Sequence, residues 1–284
     1  MIAGSPVARA TIAAGISALA LAVAAPAEAQ SAFTANYTIS VARIPVGKIT
    51  WSVDIGADAF ASSGSGEASG VASLAVSGKG TLAARGTVKN GRLAATDFTA
   101  DVTRGDEKSD MTMVLEQGAV KAIKAQKLAP GEDRVPVSTE HRQHVIDPLT
   151  AWLIPAGDRE ALTHAACERT LPIFDGQRRY DLKLAFRRMD KVSTDGGYRG
   201  PVAVCGVSFQ PIAGHRASST LVNFLAQGRD IELWLAPVAG TALLAPIRLS
   251  LAHMLGNLVV QAHKFQSVAA SSEQAARDIN PIAN

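Results

Sequence analysis

The sequence predicts a mainly β protein built as one curled antiparallel sheet with a short helical insertion near its middle. Two observations carry this. Apolar and polar residues alternate with a period of two over many short runs, and turn-forming pairs such as Asn90-Gly91 and Asp175-Gly176 punctuate them. The composition agrees, with only 5% aromatic residues and 24 glycines among 284 residues. Strands on this scale either close as a barrel or wrap around something to hide their edges, and a ligand has room in such a concavity.

The first strand is expected over Phe33 to Val41, with Ile44-Pro45-Val46-Gly47 as the turn that follows. In the second, Ile49, Trp51, Val53 and Ile55 alternate with Lys48, Thr50, Ser52 and Asp54, which gives one buried and one wet face. From Ala59 to Arg104 the chain is rich in small residues and glycine. There Asn90-Gly91 marks a type I′ hairpin. Met111, Met113 and Leu115 share the next inward face, and Gln117-Gly118 turns the chain into Ala119–Ala125. The N-terminal half is therefore a meander of long strands.

Asp147-Pro148 reads as a helix start, with Asp as the N-cap and Pro where its missing N–H costs nothing. Leu149, Trp152 and Leu153 give that short helix an apolar face, and Asp158 starts a second one carrying Ala161, Leu162 and Ala165. The helical insertion spans about residues 147–166. Strands resume at Thr170 to Phe174. Tyr180, Leu182, Leu184 and Phe186 then alternate with Arg179, Asp181, Lys183 and Arg187 in the clearest strand of the chain. Thr194 to Gly197 turns it back onto Pro201–Phe209, and Ser218–Ala226 reads as a short helix. Ile231, Leu233 and Leu235 share one face of a later strand, Ile247, Leu249 and Leu251 one face of another, and a Gly256-Asn257 turn leads into Leu258–Phe265. The whole reads as a single β domain over residues 30–267, followed by a polar tail over 268–284 that is expected to be disordered.

Residues 1–29 read as a targeting segment. Arg9 precedes an apolar run from Thr11 to Ala25, Pro26 breaks it, and Ala27-Glu28-Ala29 is the small-x-small pattern of signal cleavage after Ala29. An uncleaved membrane anchor is the alternative, and the run is short for one. The expected location is the periplasm, with no transmembrane segment after cleavage. Cleavage removes one of 28 basic and one of 25 acidic residues, leaving 27 against 24. So mild a charge, in an exported chain, argues against nucleic acid as a partner. Cys167 and Cys205 are the only cysteines and are expected to form one disulfide, since no C-x-x-C redox pair is present.

Catalytic signatures such as G-x-S-x-G, S-x-x-K, H-E-x-x-H and the Walker loop are absent from the sequence. His141, His144 and Asp147 are the one group resembling metal ligands. Asp147 is already assigned a cap, so neither a metal nor another cofactor is expected. Asp175 and Asp181 are a carboxylate pair of the kind a hydrolase of an envelope polymer would use, and nothing in the sequence sets them across a cleft. Arg178, Arg179, Lys183, Arg187, Arg188 and Lys191 concentrate positive charge, with Arg179, Lys183 and Arg187 on one strand face. That face is either solvated surface or contacts an anionic envelope component such as lipid phosphate. The opposite face, Tyr180, Leu182, Leu184 and Phe186, belongs to the core or to a ligand cavity, since a curled sheet lines both with the same positions.

Several runs, in their order, resemble the exported "domain of unknown function 3108" family. They are Asp147-Pro148-Leu149-Thr150; Cys167 with Leu171-Pro172-Ile173-Phe174-Asp175-Gly176-Gln177-Arg178-Arg179-Tyr180; Tyr198-Arg199-Gly200-Pro201 with Cys205; Pro211-Ile212-Ala213-Gly214-His215-Arg216; and Trp234-Leu235 with Pro246-Ile247-Arg248. The resemblance covers about residues 33–265. It implies an envelope protein with an open-barrel or β-spiral sheet, similar in outline to periplasmic lipoprotein carriers, and transfers no catalytic residues. The expected function is non-enzymatic binding of a hydrophobic or amphipathic envelope component, lipid or lipoprotein-like, in support of envelope assembly or integrity. The alternative is a periplasmic structural or protein-interaction module that docks an envelope protein partner.

Overall fold

The computed structural model describes residues 31–69, 78–125, 133–156, 162–227, 230–252 and 256–269. The proposed signal segment, Asp158, Ala161 and the tail beyond residue 269 lie outside them. The first seven strands form an up-and-down meander: β1 (Ser31–Val41), β2 (Ile44–Ile55), β3 (Ala59–Ala68), β4 (Gly78–Lys89), β5 (Arg92–Arg104), β6 (Glu107–Glu116) and β7 (Ala119–Ala125). Asn90 and Gly91 both have positive φ (51° and 71°), as a type I′ turn requires, and so do Gln117 and Gly118.

The first turn falls elsewhere than the Ile44–Gly47 segment the sequence suggested. Ala42 and Arg43 form it, with φ of 49° and 68°, and Ile44 already belongs to β2. The backbone accommodates Pro45 because a bulge separates the Ile39–Gly47 pair from the Ser40–Pro45 pair. In addition, β3 meets β2 only from Gly47 onward, so proline leaves no ladder donor missing on that side.

A second set of strands follows: β8 (Ile154–Pro155), β9 (Arg169–Phe174), β10 (Arg179–Ser193), β11 (Gly196–Gly197), β12 (Arg199–Ala213), β13 (Ile231–Pro237), β14 (Leu243–Leu251) and β15 (Leu258–Ala269). Helix α1 (Thr220–Ala226) lies between β12 and β13, and the Ser219 side chain caps it by accepting from the Val222 N–H. All strands join one sheet in the order β7-β6-β5-β4-β3-β2-β1-β15-β14-β13-β12-β10-β9. The first and last strands pair antiparallel along their whole length, so the two meanders meet in the middle of the sheet. β7 and β9 end the order without pairing, and the curled sheet is not closed into a barrel.

The helical insertion is smaller than predicted. Among the described residues of the segment only 3-10 turns form, at Thr150–Trp152 and His164–Cys167, and Ile154–Pro155 between them pairs with β14. Strand pairing at residue 154 stops the Thr150–Trp152 helix from propagating to a second turn. The cap survives: Asp147 Oδ1 accepts from the Leu149 and Thr150 N–H groups at 3.0 and 2.9 Å.

Gly196–Gly197, read as turn, pairs parallel with Lys264–Phe265 of β15. A Cβ on Gly197 would stand 2.0 Å from the Phe265 carbonyl oxygen, so only glycine permits this approach. β13 departs from the one-sided pattern, since Trp234 and Ala236 are buried along with Ile231, Leu233 and Leu235. The strand runs between two cores. One is built on Phe33, Val53, Phe98, Met113, Trp234 and Phe265, the other on Cys167, Leu171, Ile173, Leu184, Cys205 and Leu235.

The disulfide joins Cys167 of the second 3-10 turn to Cys205 of β12, with Cα atoms 5.3 Å apart and 38 residues between them in sequence. Its chain-entropy contribution is about 4 kcal/mol. Replacing both cysteines by alanine is expected to lower unfolding free energy by roughly that amount in denaturant melts, with the fold retained. An unchanged midpoint would refute a structural role for the bridge.

Candidate functional site

The ladder registers locate a hollow inside the curl. One inward row runs Phe98, Ala84, Ser62, Val53 and Phe33 across β5 to β1, and every member is buried. The row two residues along reads Ala100, Leu82, Gly64, Trp51 and Ala35, and the next Val102, Gly80, Gly66, Ile49 and Tyr37. On β3 and β4 these rows end in Gly66 and Gly80 at the Val102 end. Phenylalanines fill one end of the curl, and glycines leave the other unfilled.

The result is a cavity of about 420 Å³, within the range of small-molecule sites. Gly64, Gly66, Gly80, Ile49, Trp51 and Leu82 form one wall. Pro148, Leu149 and Trp152 from the capped turn form another, and Leu233, Pro246, Leu249 and Val260 close it from the C-terminal meander. Val102 lines the cavity while remaining 41% exposed, so it marks the lip. No charged side chain lines it among the described residues. The two buried polar groups nearest to it are internally paired: Tyr37 donates to the Pro246 carbonyl at 2.7 Å, and Trp51 Nε1 donates to Ser62 Oγ at 2.8 Å. Burial pushes the Tyr37 phenol well above its ordinary pKa, so it stays neutral. A wall of this kind can hold hydrocarbon, and it offers nothing to stabilise a charge.

Two of its three glycines, Gly64 and Gly66, are not demanded by the backbone, whereas a Cβ on Gly80 would stand 3.3 Å from the Asp101 carbonyl oxygen, closer than side chains ordinarily pack. A Cβ on Gly66 would lie 3.6 Å from Ile49 Cγ1 and from the Lys48 oxygen, and one on Gly64 3.6 Å from Leu149 Cδ1, all ordinary contacts. Strand glycine costs roughly 0.5–1 kcal/mol relative to alanine. Space, not conformation, is what these positions supply.

The residues singled out from the sequence lie elsewhere. Leu182 and Leu184 pack in the second core beside the disulfide, and Tyr180 rests against Phe209 at 5.4 Å. Phe186 is 37% exposed and meets the His164 ring edge-on, because a bulge at Arg187 ends the alternation. None of the four lines the cavity. Arg179 pairs with Asp181 and donates to the Tyr180 carbonyl. Lys183 is exposed. Arg187 reaches Asp230 and Glu232 at 3.4 and 3.2 Å, and Arg188 reaches Glu232 at 2.7 Å. Arg188, with Arg187 behind it, holds the Glu232 carboxyl below its usual range. Acidic partners thus neutralise much of the basic face. The carboxylate pair is also occupied, since Asp175 Oδ1 accepts the Gln177 and Arg178 N–H groups of its own turn. His141 Nδ1 accepts the Ser138 N–H and His144 is exposed, while Asp147 is buried at its cap. The sequence signal that could have found the cavity was the placement of Gly64, Gly66 and Gly80 at inward parity.

The Protein of unknown function (DUF3108) family matches residues 36–262, most of the chain. The chain belongs to this family. No curated protein matches it. Among solved structures, a candidate lipoprotein from Parabacteroides distasonis aligns over 84% of this chain and 95% of its own, at 10% identity and a TM-score of 0.31, a likeness that supports no inference. For this member of DUF3108, no helix among the described residues is long and apolar enough to cross a membrane.

The turn that carries Leu149 and Trp152 hangs on Asp147. Burial pushes the Asp147 carboxyl above its usual range, against the opposing pull of hydrogen bonds from Thr150 and Leu149. Because the folded pKa is raised, this group's contribution to stability is complete below the unfolded value of about 3.9 and is lost as pH rises through the folded one. Asp147→Asn keeps the Oδ1 acceptor and removes the titration. Denaturant midpoints measured from acid to neutral pH should therefore fall less for the variant than for the parent. Identical slopes would refute the assignment. Asp147→Ala loses the cap and should cost about 1 kcal/mol.

Proposed function

We propose that this protein is a non-enzymatic periplasmic binder of a hydrophobic or amphipathic envelope component. It would hold that component in the concavity of its sheet and support assembly or integrity of the envelope. The single observation that carries the reading is the hollow end of the curl, an uncharged cavity of about 420 Å³ bordered by Gly64 and Gly66, where side chains would fit. A soluble fold gains by filling such a space, at roughly 25 cal/mol per Å² of apolar surface buried. Leaving it empty at two strand positions makes physical sense when something else fills it. The targeting pattern of residues 1–29 supports the periplasmic placement. The occupied states of Asp175 and Asp181 lend no support to a carboxylate hydrolase.

Native mass spectrometry of protein purified from its own periplasm should reveal a co-purifying lipid. Gly66→Leu should abolish that adduct while melting at the same or a higher temperature, because the new side chain projects into the hollow and removes a strand glycine. Protein that carries no apolar ligand, alone or after exposure to envelope lipid extract, would refute lipid binding.

A further inference from the structure

Resting on the proposed lipid-binding role, we infer that the cavity takes one hydrocarbon chain of a single-chain amphiphile, a fatty acid or lysophospholipid, tail inward and headgroup outside at the Val102 lip. Four features lead there. The volume of about 420 Å³ is near the low end of small-molecule sites, so several acyl chains of one molecule do not fit together. The hollow is blind, because the row of Phe33, Val53 and Phe98 beyond Trp51 and Leu82 is fully packed. No charged side chain lines it among the described residues, and the Tyr37 and Trp51 donors are already engaged, so a headgroup finds no partner inside. Among the apolar side chains that line the cavity Val102 is the exposed one, at 41%, and the nearby strand residues Lys79, Asp101 and Arg104 carry charge of both signs. A buried tail and a solvated head satisfy all four.

A blind apolar tunnel has a quantitative signature. Each methylene buried strengthens binding about fourfold until the chain reaches the packed end, after which further carbons bring nothing. The test is displacement of bound cis-parinaric acid from the delipidated protein by saturated fatty acids from octanoate to stearate, by lysophosphatidylcholine, and by phosphatidylcholine vesicles. The expected result is a fourfold-per-methylene rise followed by a plateau, and one chain per protein. Lysophosphatidylcholine should compete and the diacyl vesicles should not. Gly66→Leu should move the plateau to shorter chains or remove binding, and Gly64→Val serves as the second variant should the first fail to fold. Extraction of diacyl lipid, or two chains per protein, overturns the single-chain inference while leaving lipid binding standing. Affinity independent of chain length identifies surface adsorption and overturns it too. Binding of none of these probes overturns both this inference and the proposed function.

Discussion

The structure depends on the pairing of the first strand with the last. β1 and β15 hydrogen-bond from Ser31–Ala269 to Val41–Leu258, and this one antiparallel ladder turns two separate meanders into a continuous sheet. Each meander alone would expose a long apolar edge at that place. Joined, they place the inward rows of β5 through β1 beside β15, with one bulge between Asn36 and Tyr37. The cavity follows from this, since its glycine wall comes from the N-terminal meander and Leu249 and Val260 come from the C-terminal one. A one-residue slip in the β1–β15 register would turn one meander's apolar rows outward, so the pairing sets where the walls stand as well as that they meet.

Within that frame, side-chain volume decides what is core and what is hollow. The three inward rows share one backbone geometry and differ in content, from phenylalanine and valine at one end to glycine at the other. The packed end stabilises the fold, together with the second core and the disulfide that fastens the His164–Cys167 turn to β12. The open end contributes no such packing. The turn following Asp147 spans the two, with Leu149 buried in the core and facing the cavity, which is why a single buried carboxylate bears on both stability and site shape.

Electrostatics plays a smaller part than the density of arginine and lysine near residue 180 suggests. The ion pairs of Arg187 and Arg188 with Asp230 and Glu232 are partly solvated and individually worth little, and Arg179 is paired with Asp181 in a more sheltered place. Their effect is to cancel a local field that linear sequence makes look strong. What remains at the candidate site is apolar surface and shape.

Local chemistry alone determined much of this protein. The period-two runs define their strands. Asn90-Gly91 and Gln117-Gly118 define hairpins through positive φ, Asp147 defines a cap through its side-chain acceptor, and two lone cysteines have only each other as bridge partner. These signals act over a few residues or involve only one possible partner, so no tertiary information is needed to read them. The tertiary structure decided the rest. Ala42-Arg43 became the first turn because a bulge absorbs Pro45. Trp234 and Ala236 were buried because a second core covers the other face of β13, and the helix predicted after Asp147 shrank to a single turn because Ile154–Pro155 pairs with β14. The apolar face of Tyr180, Leu182, Leu184 and Phe186 went to core and surface, while Gly64, Gly66 and Gly80 became the wall of a cavity. A period-two pattern specifies that a residue points inward. Whether it meets a packed neighbour or an empty space depends on residues brought opposite it from distant parts of the chain.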